Sequence, residues 1–91
     1  MGEVTDRLRT KLEGAFAPER LDIVDDSARH AGHSGAAASG ESHFNVAIVS
    51  PAFAGLSRVE RQRRVYAALA EELAGPVHAL SLKALAPGEG C

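Results

Sequence analysis

Along the first part of the chain Val4, Leu8, Leu12, Ala15 and Phe16 recur at helical intervals, with Glu3, Arg7, Lys11 and Glu13 between them. This spacing gathers the apolar side chains on one face and predicts a helix over 3–16. Pro18 stops it, because proline has no N–H to continue the hydrogen-bond ladder. Leu21, Ile23 and Val24 follow among Asp22, Asp25 and Asp26, a short run with β-branched members that reads as a polar-faced strand ending near Ser27. Residues 29–42 contain no large aliphatic side chain; Gly32, Gly35 and Gly40 with Ala36, Ala37, Ala38 and Ser39 have the composition of a flexible loop. Phe44, Val46 and Ile48 then alternate with Asn45, Ala47 and Val49, the best strand pattern in the chain, and Pro51 closes it.

Ser57, with Glu60 three residues on, is the pairing that satisfies open backbone donors at a helix start. Val65, Ala68, Leu69 and Leu73 give that helix a buried stripe, and Gly75 followed by Pro76 ends it. A last strand is predicted from Val77 to Leu85, with His78, Leu80, Leu82 and Ala84 on one face, and the tail beyond Pro87 is expected to fray. The order α-β-β-α-β calls for an α+β two-layer sandwich, with helices on one face of a three-stranded mixed sheet. We read residues 1–87 as one domain and 88–91 as a tail. The first two strands should pair antiparallel, and the second and third, joined through a helix, should run parallel with a right-handed crossover. Parallel strands start at the same end of a sheet. His78 therefore lies at the end where His43 opens the second strand and where the loop carrying His30 and His33 enters, so all four histidines can converge.

Composition narrows the function. With 91 residues, 4% aromatics and no Trp, the chain has room for one thin core of Val, Leu, Ile, Ala and three Phe. Nearly every large aliphatic should be buried, leaving few to line a deep substrate cavity. Ser27, Ser50 and Ser57 lack a paired histidine and acid in any recognisable motif, and there is no glycine-rich phosphate loop, so a non-catalytic protein is expected. A net charge of −2 argues against a dedicated basic nucleic-acid protein. Arg58, Arg61, Arg63 and Arg64, offset by Glu60, form the one concentrated basic feature, either a solvated helix face or a surface for phosphate or an acidic partner. Gly32 and Gly35 have the spacing of a nucleic-acid-gripping glycine loop but fall between two strands rather than two helices. The lone cysteine, Cys91, allows neither an intrachain disulfide nor a thiolate cage, which fits a reducing, cytoplasmic setting. The first eleven residues have no apolar run, so neither a signal peptide nor a membrane span is expected.

Several motifs resemble the BolA family, in order and over about residues 4–87. They are Asp26-Ser27 with His30, the run from Gly40 through His43-Phe44-Asn45-Val46 to Ser50, Phe53 with Gly55, Arg61-Gln62-Arg63-Arg64-Val65-Tyr66, and Val77-His78-Ala79-Leu80-Ser81-Leu82. The resemblance implies a fold like the type II KH domain and a role beside monothiol glutaredoxins in iron–sulfur cluster assembly, trafficking and iron regulation. It also implies a second reading, a DNA-binding transcriptional regulator of morphology and stress genes. In the family's heterocomplex a [2Fe–2S] cluster is shared: the glutaredoxin and a glutathione supply thiolates, and the BolA partner supplies a histidine from the final strand and a His or Cys from the loop. Carried over, the strand ligand is His78 and the loop ligand His30, with His33 the second choice. Where many members have Arg-His-Arg at the start of the second long helix this chain has Arg61-Gln62-Arg63, so no histidine role transfers there.

The residues agree with the cluster reading in one respect. Iron–sulfur clusters need about four ligands that are mostly thiolates, so a chain without an internal cysteine must borrow them, and the isolated protein should carry none. His43 is expected to hydrogen-bond at the sheet end and support the ligands rather than join them. The ordinary alternatives are a satisfied polar residue at a strand end for His78, and for His30 and His33 an exposed pair open to adventitious zinc or nickel. The expected partners are a monothiol glutaredoxin or, through the arginines, DNA; the protein alone is expected to be a monomer, with a homodimer as the alternative.

Overall fold

The computed structural model describes residues 3–25 and 43–89. Helix α1, Glu3–Phe16, matches its predicted span, and Val4, Leu8 and Leu12 are buried along it. Ala15, expected on the same face, is exposed. That end of the seam is carried by Phe16, whose ring stands 5.0 Å from Phe53. The helix ends in Ala17, whose φ of 45° is left-handed; its N–H donates to the Glu13 carbonyl at 3.0 Å just before Pro18.

Strands β1 (Arg20–Asp25), β2 (His43–Val49) and β3 (Ala79–Leu85) form one sheet in the order β1-β2-β3. As expected, β1 pairs antiparallel with β2, and β2 pairs parallel with β3. Phe44, Val46 and Ile48 turn one face of β2 into the core, where they meet Leu8, Leu12, Val65 and Leu69 from the helices. The opposite face of the sheet stays open, which is why Val24 on β1 remains exposed although a thin core was expected to claim nearly every large aliphatic.

After β2 the buried Ser50 donates its hydroxyl to the Phe16 carbonyl at 2.6 Å and accepts from the Ala52 N–H at 3.1 Å, tying the end of α1 to a 3-10 turn over Pro51–Phe53. Helix α2, Arg58–Ala68, starts where Ser57 accepts from the Glu60 N–H at 3.1 Å. The single long helix expected here is broken at Leu69, and α3 covers Ala70–Ala74. The Leu69 N–H is shared between the Val65 and Tyr66 carbonyls, at 3.1 and 3.2 Å, a tightening typical of a helix end. Val77, expected to open the last strand, instead donates its N–H to the Glu72 carbonyl at 2.9 Å and closes α3, so β3 begins at Ala79.

Two ion clusters hold the helices. Glu72 on α3 is fully buried, yet its carboxylate receives Arg7 Nη2 at 2.8 Å and Lys11 Nζ at 3.0 Å, both from α1. Burial pushes this carboxyl up, but the Lys11 ammonium, its own backbone N–H and Arg7 outweigh burial and hold it below the ordinary carboxylate range. Arg61 on α2 donates to the Leu56 carbonyl at 3.0 Å, to the Ala84 carbonyl at 3.1 Å and to both oxygens of Glu89 at 2.6 and 3.0 Å. Glu89 also accepts from the Ala86 N–H at 2.9 Å. Residues 88 and 89, expected to fray, are therefore clipped to the fold. With Arg61 as the main cause and the Ala86 N–H second, the Glu89 carboxyl is held at about 2.

Removing the buried carboxylate with Glu72→Ala should cost about 2–3 kcal/mol, since it strips charge-assisted bonds from two side chains. Urea unfolding with an unchanged m value would measure this, and a loss within the scatter of surface substitutions would contradict the assignment. Because the folded Glu89 group titrates below its ordinary value near 4.5, its contribution is complete above that value and fades as pH falls through it toward 2. Arg61→Ala should lower the urea midpoint at pH 7 and Arg63→Ala should leave it unchanged. Glu89→Gln should flatten the loss of stability of the wild type between pH 4.5 and pH 2, read by thermal melts across that range.

Candidate functional site

The parallel register sets His43 opposite Ala79, and His78 directly precedes that residue. Both imidazoles thus arrive at one end of the sheet, as the topology predicts. Their ring centroids are 6.3 Å apart with planes 22° from parallel. His43 is half-buried at the first position of β2, and His78 is exposed just ahead of β3. The segment holding His78 is rigidly placed from both sides, by the buried Val77 closing α3 and by β3 entering the sheet. Asp25, paired with Phe44 in the antiparallel register, brings the end of β1 to the same edge.

His30 and His33 lie outside the described residues, as does Cys91. Among the described residues no three His, Cys, Asp or Glu side chains stand close enough to hold a metal ion between them. What the described donors offer at this end is an exposed imidazole backed by a second ring, a set that can complete a metal's coordination but needs further ligands from elsewhere.

The four arginines separate. Arg61, grouped from the sequence with a partner or nucleic-acid surface, has a side chain only 12% exposed and is engaged with Glu89. Arg64 pairs with Glu60 one turn back at 3.2 Å. Arg58 and Arg63 have no carboxylate within salt-bridge distance among the described residues, and Arg58 lines a groove with Gln62 and residues 82–85 of β3. Sequence reasoning missed Lys83 in that groove and the anchoring of Glu89. A lysine on the last predicted strand was the available signal for Lys83; for Glu89, an isolated acid, there was none. No helix among the described residues is long and apolar enough to cross a membrane.

Comparison with known proteins agrees with this geometry. The family described as BolA-like protein matches residues 12–89. BolA-like protein 1 of Homo sapiens is 49% identical over 89 residues, covering 98% of this chain and 62% of that protein. The chain thus spans about three-fifths of the length of this relative. The DNA-binding transcriptional regulator BolA of Escherichia coli strain K12 is 44% identical over 79 residues, 87% of this chain and 71% of that one. Among solved structures, the BolA domain of SufE1 from Arabidopsis thaliana superposes with a TM-score of 0.86 at 45% identity, covering 98% of both chains. With the family match running through β2, the two helices after it and β3, the chain belongs to the BolA family.

Proposed function

We propose that this protein is a non-catalytic adaptor that binds a monothiol glutaredoxin and supplies histidine ligands to a [2Fe–2S] cluster shared between them. It would act in cluster assembly or trafficking and in iron regulation, in a reducing compartment such as the cytosol. The observation that carries the reading is the placement of His78: exposed, at the open end of a parallel strand pair, with the His43 ring beside it and no thiolate nearby among the described residues. That donor set suits a group whose remaining ligands come from another chain. His78 would hold the iron from the strand side, and His30 is the proposed loop ligand, with His33 second. His43 would limit the orientations open to the His78 ring, reducing the entropy lost on coordination. When bound, the cluster supplies electron transfer or iron and sulfide for delivery.

A second reading is a DNA-binding regulator, favoured by the name of the Escherichia coli relative and by Arg58 and Arg63, which have no carboxylate within salt-bridge distance among the described residues. It ranks lower because Arg61 and Arg64 are occupied within the fold.

Titrating the protein into a glutathione-ligated glutaredoxin cluster should change its visible absorption and circular dichroism, saturating at one-to-one. His78→Ala should abolish the change, and His30→Ala should reduce it or alter its form. An unperturbed spectrum with the wild-type protein would overturn the proposal.

A further inference from the structure

The groove beside Arg58 has a volume of about 530 Å³ and runs between α2 and the outer edge of β3. Its walls are Arg58 and Gln62 on one side and Leu82, Lys83, Ala84 and Leu85 on the other. Among the described residues β3 pairs within the sheet with β2 alone. The Leu85 carbonyl faces β2, where it accepts from the Ser50 N–H at 2.9 Å. Backbone groups along a strand alternate in direction, so Ser81 and Lys83 also bond toward β2, while Leu80, Leu82 and Ala84 turn their N–H and C=O outward. Arg61 takes the Ala84 carbonyl. Among the described residues, Leu80 and Leu82 meet no further strand. Their edge runs in unbroken register from Ala79 to Leu85 without a proline or bulge to discourage pairing.

Charge selects the occupant. Among the described arginines and lysines, Arg58, Arg63 and Lys83 alone lack a carboxylate within salt-bridge distance. Two of these three line this one groove. In a chain of net charge −2, unpaired cations gathered beside an open strand edge are complementary to an extended, acidic chain. We propose that the groove receives an extended acidic segment of a partner protein as a fourth strand on β3, its backbone bonding Leu80 and Leu82 and its carboxylates meeting Arg58 and Lys83. The proposal does not rest on the histidine ligands.

A fluorescein-labelled peptide of valine and aspartate, with aspartates at both odd and even positions so that carboxylates reach both faces of the added strand, tests it, beside the same peptide with lysine for aspartate and a single-stranded DNA oligonucleotide. The acidic peptide should bind by anisotropy and slow amide hydrogen exchange at Leu80 and Leu82. Arg58→Glu combined with Lys83→Glu should weaken it at least about tenfold, whereas His78→Ala should bind as the wild type does. N-methylating alternate peptide nitrogens should abolish binding in one register and spare it in the other. Absence of binding, equal binding of the lysine peptide, binding without protection of those two amides, or binding of the oligonucleotide in place of the peptide would each overturn the proposal.

Discussion

The parallel pairing of β3 with β2 is the constraint on which the rest of the molecule hangs. Side chains on a strand alternate between faces, so a slip of one residue would exchange Phe44, Val46 and Ile48 for Asn45, Ala47 and Val49 in the core. The cost of that exchange locks the register, and the register alone sets His43 opposite Ala79. The juxtaposition of the two imidazoles is thus stabilised by apolar burial several residues away rather than by any attraction between the rings.

The crossover that makes this pairing possible is tied down at both ends by charge. Arg61 on α2 grips the far end of β3 and the residues after it, while Glu72 on α3 reaches back to α1. Between them lies the break at Leu69, whose buried side chain joins the two helices to the common core. Charge is often taken as a marker of surface function in a small domain. Here two of the most heavily engaged groups, a glutamate and an arginine, are structural members that let a core poor in aromatic residues stay closed.

Periodicity was enough to read α1, the three strands, their directions and the meeting of His43 with His78, because each depends on patterns repeated over many residues. The break at Leu69 was not legible, since Val65, Ala68, Leu69 and Leu73 keep helical spacing through it and the departure is a matter of one shared N–H. Val77 looked like a strand residue because it is β-branched and apolar, whereas its N–H is committed to a helix end. Glu72 has no signal of its own in the sequence, where it is one of two adjacent acids; only the approach of α1 distinguishes it from the exposed Glu71. The arginines read as a single basic cluster because sequence records their proximity and not which carboxylates, dozens of residues away, neutralise them. The loop ligand stays a matter of family resemblance, since His30 and His33 lie outside the described residues.

The clip between Arg61 and Glu89 also determines where the polypeptide leaves this fold. Since β3 starts beside His78 and the clip follows its other end, the departure point is separated from the histidines by the length of the strand, about 20 Å. A module fused behind residue 89 would begin from a fixed anchor on the opposite side of the domain. Such an arrangement leaves the imidazoles unobstructed, so the domain can be joined to other polypeptides through that side without masking them.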